Sequence, residues 1–165
     1  MPTDKLMGRI TDMCWLDISI DDEPAGRIDI GLYGDVVPKI TNNFKHLAIG
    51  DKGWTYNDKP MHYKGVKFHR IIQKFMMQGG DITHNNGFGG QNIYGMHTIE
   101  DEGFHLPHYR RGMVSMANTN KDSNKSQFFI TFKNSHWLDN KNVDFGQVMN
   151  GYQVLDECQK AGQQQ

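Results

Sequence analysis

The side chains best suited to chemistry in this 165-residue sequence lie between residues 68 and 81, where aromatic, basic and amide groups alternate and two glycines end the run. Apolar residues recur through the segment, so Arg70 and Gln78 have few ways to lie on a purely solvated face if the segment forms strands. We therefore expect the guanidinium group of Arg70 and the amide group of Gln78 to border a cleft.

Two further segments, residues 111–118 and 126–132, have the pattern of short strands that carry an isolated amide beside apolar residues. Trp137 and Leu138 follow soon afterwards. Together the three segments predict an apolar pocket with a few polar groups.

The motifs in these segments are FHRIIQKFMMQGGD, SMAN and SQFFI, followed by WLD and FG. In their residues, order and spacing the sequence resembles the cyclophilin family of peptidyl-prolyl cis-trans isomerases, and the resemblance covers residues 14–155. It implies an enzyme that accelerates rotation about X-Pro bonds in peptides and proteins, assists protein folding and binds cyclosporin A. The reaction requires no cofactor and no metal ion.

Rotation about an X-Pro bond is slow because conjugation gives the C–N bond partial double-bond character, with a barrier of roughly 18–20 kcal/mol. A site must therefore grip the proline ring, hold the flanking backbone and favour the twisted amide. By resemblance, Arg70 is the catalytic arginine, whose guanidinium donates a hydrogen bond to the proline nitrogen while Gln78 holds its second edge. An ion pair between Arg70 and a surface carboxylate is the alternative.

The resemblance also assigns the other residues of the site. Phe75 stands with Arg70 and Gln78 in the catalytic group and lines the proline pocket. The substrate-binding residues are Met76, Asn118, Gln127, Phe129, Trp137, Leu138 and Asn142. Among them, Gln127 and the backbone of Asn118 hold the substrate main chain, and Trp137 also contacts cyclosporin A. Plain core packing is the alternative for the apolar members, above all for Phe129.

A second pocket, for the residues that precede proline, is implied by the resemblance. Its residues are Phe88, Met96, His97, Ala117 and Thr119. Many relatives carry charged or small residues at the gatekeeper positions of this pocket. We therefore expect an altered preference for the second residue before proline.

Asn142 departs from the family pattern, because cyclophilins usually have a histidine at this position. The smaller amide keeps hydrogen-bonding capacity but loses ring area, so we expect weaker turnover or ligand binding rather than loss of activity. The rival hypothesis is a proline-peptide binding or scaffold module that turns over poorly or not at all.

Composition argues against several other classes of protein. Lys and Arg number 18 against 19 Asp and Glu, so no strong field indicates nucleic acid or a membrane surface as a partner. No run approaches the roughly 20 apolar residues that span a bilayer, and the first residues lack the pattern of a secretory signal. Cys14 and Cys158 lack a CxxC spacing, which fits free thiols in a reducing compartment. We expect a cytoplasmic monomer, with the nucleus as an open alternative.

The elements that position the site are expected to form one domain at residues 13–161, between an extension at residues 1–12 and a polar tail at residues 162–165. The expected fold class is mainly β, an antiparallel barrel of about seven or eight strands capped by two α-helices. Cyclophilins usually have one more strand after the second helix, which closes the barrel beside the first strand. This sequence stops before such a strand, so the exposed edge would need another cover: residues 1–12, a neighbouring chain or a further segment.

Hydrophobic patterns locate the individual elements. The predicted strands are residues 13–20, 27–33, 68–72, 75–79, 113–117, 127–132 and 145–149. A turn at residues 21–26 makes the first two a hairpin, and residues 51–65 form a surface loop that resembles the divergent loop of some cyclophilins. Helices are predicted at residues 38–49 and 152–161. The second helix is expected to place Val154, Leu155, Cys158 and Ala161 on one face.

Two polar clusters carry little functional signal. His105 and His108 are three residues apart, but Pro107 opposes a helix and no third ligand is near, so surface histidines are the better interpretation. The acidic run Glu100, Asp101 and Glu102 is more typical of a solvated loop than of an acid/base pair.

Overall fold

The computed structural model describes residues 3–4 by their backbone and residues 8–164 in full. Within these residues lie nine strands, two α-helices and one 3-10 helix. The strands are β1 Thr3–Asp4, β2 Gly8–Arg9, β3 Asp12–Ile20, β4 Glu23–Leu32, β5 Arg70–Ile72, β6 Met76–Gly79, β7 Met113–Met116, β8 Phe128–Thr131 and β9 Asp144–Asn150. The helices are α1 Pro38–Ile49, the 3-10 helix His136–Leu138 and α2 Tyr152–Lys160. The predicted extension and tail lie partly outside the described residues.

Seven strands form one antiparallel sheet in the order β3-β4-β9-β7-β8-β6-β5, which curls into a half-barrel. The two short strands β1 and β2 pair separately. The prediction of a mainly β, antiparallel fold with two helices is confirmed. The predicted first hairpin is also present, with a tighter turn, because Asp21 and Asp22 both adopt positive φ, 52° and 65°, and the second strand begins at Glu23.

Helix α1 begins and ends where the sequence predicts. Pro38 occupies the first turn, and Gly50 after the last residue has φ of 81°, a left-handed conformation that glycine adopts without strain. The buried face includes Phe44, whose ring lies 5.1 Å from the rings of both Phe128 on β8 and Phe145 on β9. The apolar stripe of the helix therefore packs on the inner face of the curled sheet.

Helix α2 buries Val154, Leu155 and Cys158, as its periodicity predicts. Ala161, the fourth residue predicted on this face, is exposed and lies beside the same cavity as Cys158. The helix ends at Lys160, and Ala161 is its C-cap residue, with φ of −75° and ψ of −8°. Both cysteines are free and buried, and burial raises the pKa of the Cys14 and Cys158 thiols to about 11.

The half-barrel is open between its edge strands β3 and β5, and no strand of the described residues joins them. A cavity of about 1090 Å³ lies in this gap, lined by side chains such as Ile18 and Phe68. On the β5 side, Gln163 donates its backbone N–H to the Ile71 carbonyl at 2.9 Å and accepts from the Gln73 N–H at 2.8 Å. The chain thus lies alongside β5 at that point without bridging the gap.

Candidate active site

A row of opposed residues crosses four adjacent strands. Arg70 on β5 lies opposite Gln78 on β6, and Gln78 lies opposite Phe129 on β8. Phe129 in turn lies opposite Ser115 on β7. Because directly opposed residues in an antiparallel sheet point to the same face, these four side chains share one face of the sheet.

The shared face is opposite to the face that carries the main core. Met77 and Ile130, which alternate with the row, belong to the main apolar cluster. Met76 and Phe129 are only 2% and 5% exposed, yet neither is a member of the apolar core clusters found among the described residues. Plain core packing therefore does not account for Phe129.

The rim of this apolar surface is aromatic. The rings of Phe75 and Trp137 lie 6.0 Å apart, between the β5–β6 turn and the 3-10 helix. The Phe75 carbonyl accepts the Phe132 N–H at 2.9 Å, which fixes the turn against the end of β8. Leu138 follows Trp137 and is half-buried.

Arg70 is exposed, and no carboxylate of the described chain forms an ion pair with it. The alternative of a surface ion pair thus has no partner among residues 8–164. Gln78 was expected to hold the second edge of Arg70. Its amide nitrogen instead donates to Gln127 Oε1 at 2.9 Å, while its backbone remains opposite Arg70.

Gln127 connects this row to the glycine-rich loop after β6. Its Nε2 donates to the carbonyls of Gly87 at 2.9 Å and Gly89 at 2.7 Å. Both amide hydrogens are thereby occupied. The Gln127 side chain can therefore contact a substrate by accepting a hydrogen bond at Oε1. This oxygen already accepts one hydrogen bond from Gln78.

The family model of cyclophilin type peptidyl-prolyl cis-trans isomerase/CLD matches residues 15–165. The chain belongs to the cyclophilin family. It is 52% identical over 142 residues to a protein of Arabidopsis thaliana named peptidyl-prolyl cis-trans isomerase CYP21-1, a match that covers 86% of this chain and 63% of that relative. The chain thus spans less than two thirds of the length of this relative.

In this cyclophilin, the loop after β6 is built around the carboxylate of Asp81. Its oxygens accept hydrogen bonds of 2.9–3.2 Å from the backbone N–H groups of Thr83, His84, Asn86, Gly87 and Gly89. Burial raises the pKa of Asp81, but these donors outweigh it and hold the pKa well below its usual range. Sequence reasoning assigned Asp81 no role, although an aspartate before a threonine and several glycines is a recognisable loop-forming pattern.

The predicted surface loop at residues 51–65 contains no strand, and it packs against the Asp81 loop. Tyr56 contacts His84 through its hydroxyl, 3.0 Å from Nε2, and its backbone N–H donates to Gln91 Oε1 at 3.0 Å. Asn57 Nδ2 also donates to the Thr83 carbonyl at 2.8 Å. The cyclophilin loops beside the row therefore support one another.

The residues predicted for the second pocket lie at the surface on separate loops. Phe88 is 91% exposed and Met96 37% exposed. His97 and Thr119 are also exposed, and Ala117 is half-buried. Lys39 Nζ on α1 lies 4.0 Å from Met96 Sδ beside this surface, and it also pairs with Glu100 at 3.3 Å.

Asn118 and Asn142 hold neighbouring chain segments together. Asn142 Nδ2 donates to the Met116 carbonyl at 3.0 Å, and Asn118 Nδ2 donates to the Lys141 carbonyl at 2.9 Å. These reciprocal bonds join the end of β7 to the segment that leads into β9. The amide nitrogen of Asn142 is thus used within the protein, which leaves its oxygen for a ligand.

The interpretation of the two histidines as surface residues is wrong for His108, although His105 is exposed. His108 is fully buried, and Asp139 and Ser115, each 2.8 Å from one ring nitrogen, satisfy its hydrogen-bonding groups. Burial lowers the pKa of His108 below its ordinary value. The hydrogen bond to Asp139 and the negative charge of Asp139 act in the opposite direction but are outweighed. Neither partner is close enough in sequence for a local pattern to reveal the contact.

The acidic run also differs in part from expectation. Glu100 is exposed, as in a solvated loop, but the half-buried Glu102 accepts the backbone N–H groups of Lys39 and Ile40 at 3.1 and 2.6 Å. It therefore acts as the cap of α1.

Neither a metal-binding cluster nor a membrane-spanning helix occurs among residues 8–164. No group of three or more His, Cys, Asp or Glu side chains there could hold a metal ion. The helices in the described part are too short and too polar to cross a bilayer.

Proposed function

We propose that the protein is a peptidyl-prolyl cis-trans isomerase that acts on X-Pro bonds in peptides and proteins and assists their folding. The observation that carries this proposal is the row in which the exposed Arg70, unpaired within residues 8–164, lies across Gln78 from the buried ring of Phe129. A cationic donor beside an apolar surface is the arrangement that a twisted prolyl amide needs. Membership of the cyclophilin family supports the same activity.

The reaction follows from what each side chain can do. Apolar surface at Met76 and Phe129 receives the proline ring and excludes water from the amide. As the C–N bond twists, conjugation is lost and the nitrogen lone pair becomes a hydrogen-bond acceptor. Arg70 donates to that nitrogen and so binds the twisted form better than either planar form. No covalent bond is made or broken, so no nucleophile is needed.

The flanking backbone of the substrate is held by the main chain of Asn118 and by Gln127 Oε1. Trp137 and Phe75 close the rim of the proline pocket, and Leu138 completes it. The surface of Phe88, Met96, His97, Ala117 and Thr119 receives the residues before proline. Cyclosporin A is a ligand we propose from family membership alone.

We further propose that the protein acts as a cytoplasmic monomer, with the nucleus as an alternative location. The buried free thiols Cys14 and Cys158 fit a reducing compartment.

Magnetisation-exchange NMR on an excess of an Ala-Pro peptide tests the activity directly. We expect the protein to accelerate the exchange of cis and trans signals at a peptide-to-protein ratio of about 100, because uncatalysed exchange takes tens to hundreds of seconds. Peptide line broadening without faster interconversion would contradict the enzyme and favour the binding module.

A further inference from the structure

Three polar side chains form a hydrogen-bonded chain beneath the proline pocket, and two of them are fully buried. Ser115 Oγ lies 2.8 Å from His108 Nε2, and His108 Nδ1 lies 2.8 Å from Asp139 Oδ1. The backbone N–H of His108 donates to the same carboxylate oxygen at 2.7 Å. His108 and Ser115 have no exposed surface.

The chemistry of the groups sets the direction of these hydrogen bonds. A carboxylate only accepts, so Nδ1 of His108 carries the hydrogen and donates to Asp139. Nε2 then has a lone pair, and the hydroxyl of Ser115 donates to it. The order of groups is that of a serine nucleophile with its base, but a hydroxyl without exposed surface cannot reach a substrate. The chain therefore has a positional role.

His108 contacts both sides of the proposed proline pocket. Its ring is stacked on the Phe129 ring, with centroids 6.2 Å apart and planes 14° apart. Asp139 directly follows Leu138 at the end of the 3-10 helix, and the His108 carbonyl accepts the Ser135 N–H at 2.8 Å. The imidazole thus joins β8, which carries the pocket floor, to the helix that carries its rim.

We propose that His108 is a positioning residue that fixes Phe129 against the 3-10 helix and thereby sets the width of the proline pocket. The inference rests on the proposed function, since it assigns these two elements to that pocket. A pocket whose walls are already held at the right distance loses less entropy when the proline ring enters. Because the ring is gripped equally in the planar and twisted states, the effect falls on substrate binding rather than on the rotation step.

The variant His108→Phe tests this role. Phenylalanine keeps an aromatic ring on Phe129 but removes both side-chain hydrogen bonds. We expect KM to rise about threefold to tenfold, the equivalent of one or two hydrogen bonds, with kcat within about twofold of wild type. A merely structural role would reduce the folded fraction, which lowers the apparent kcat and leaves KM unchanged.

His46→Phe is the matched control, because His46 on α1 makes a similar 2.8 Å contact through Nδ1 with Asp51, outside the row. Its KM is expected to stay at the wild-type value. Asp139→Asn retains an oxygen that accepts from the His108 N–H groups, so it should keep KM within about twofold, whereas Asp139→Ala should raise KM as His108→Phe does. Ser115→Ala serves as the second disrupting variant if His108→Phe fails to fold.

An unchanged KM in folded His108→Phe or Ser115→Ala, or a loss confined to kcat, would overturn the positioning role. If wild type shows no isomerisation, the proposed function fails separately. The positioning role is then tested by peptide titration, in which the dissociation constant of an Ala-Pro peptide should still rise about threefold to tenfold in His108→Phe. Equal affinity in that titration would overturn it.

Discussion

At the scale of single residues, Arg70 is the group on which the proposed chemistry depends. Its guanidinium is always charged, and its planar fork presents donors on two edges. Phe129, two strands away in the same row, is almost fully buried, so water is excluded on one side of the row. A charged donor interacts more strongly with a developing lone pair in such a partly desolvated place than in bulk water.

Asn142 offers a residue-scale test of the pocket wall. Its amide nitrogen bonds the Met116 carbonyl, and the side chain presents less apolar area than an imidazole. We expect Asn142→His to raise kcat/KM by about twofold to tenfold, because ring area is added beside the proline pocket. A coupled proteolysis assay on an Ala-Pro substrate measures this ratio. An unchanged or lower value would contradict the pocket-wall assignment.

Asp144 is a buried carboxyl that the proposed mechanism does not use. It is 2% exposed, and its Oδ2 has no hydrogen-bond partner among the described residues. Burial raises the pKa of Asp144 well above its ordinary value of 3.8. Folding therefore favours the protonated form, and the carboxyl destabilises the protein increasingly as pH rises from 3.8 through the folded-state pKa.

Asp144→Val should accordingly raise the free energy of unfolding at pH 7 by about 1–3 kcal/mol, with a smaller gain at pH 4. Urea unfolding at the two pH values measures the difference. Asp17→Val replaces an exposed strand aspartate that pairs with Arg27 and serves as control, for which no gain is expected. A gain for Asp144→Val that is equal at both pH values would show that ionisation is not the cause.

At the scale of elements, helix α1 is stabilised at its N-terminus by a long-range contact as well as by local sequence signals. Helix α1 has no side-chain cap on its own N-cap residue Val37. Glu102 supplies that cap from a distant loop by accepting two backbone N–H groups. A carboxylate at this end also interacts favourably with the helix dipole.

Glu102→Ala is therefore expected to lower the free energy of unfolding by about 1–2 kcal/mol. The matched control is Glu100→Ala, two residues earlier, which removes only an exposed contact to Lys39 and should cost less than about 0.5 kcal/mol. Chemical denaturation of both variants separates the two cases. Equal losses would mean that the cap contributes nothing specific.

The difference between local signals and long-range contacts explains which features of the fold could be predicted from the sequence. Pro38 and Gly50 are local start and stop signals, and the predicted bounds of α1 match the structure. Burial of His108 depends on Asp139, 31 residues away, and no local pattern contains that contact. Ala161 is the C-cap residue of α2, and periodicity alone does not specify where that helix ends. Motifs thus predicted which site segments meet, but not the polar contacts beneath them.

At the scale of the whole molecule, the two faces of the half-barrel have different roles. One face packs on α1 and α2, and the other carries the row from Arg70 to Ser115. The second pocket is assembled from loops that are distant in sequence, so its chemistry can change while the sheet stays the same. Phe88 and Met96 present apolar surface there, whereas the charge of the neighbouring Lys39 is paired with Glu100 at 3.3 Å.

We therefore expect a distinct preference at the second residue before proline, towards apolar side chains. A library of X-Pro peptides varied at that position, assayed for kcat/KM, measures the profile. Phe88→Thr and Met96→Glu together should shift the profile towards basic residues by about fivefold, roughly one favourable charge contact. A flat profile that the double variant does not change would contradict the assignment of this pocket.

The account depends most directly on the role of Arg70 in the rotation step. The decisive measurement compares Arg70→Ala with Arg27→Ala, an exposed arginine on β4 that pairs with Asp17, by exchange NMR and peptide titration. We predict that Arg70→Ala lowers kcat by about a hundredfold or more while the peptide dissociation constant changes by less than about threefold, and that Arg27→Ala is unaffected. Wild-type exchange rates in folded Arg70→Ala would contradict the account.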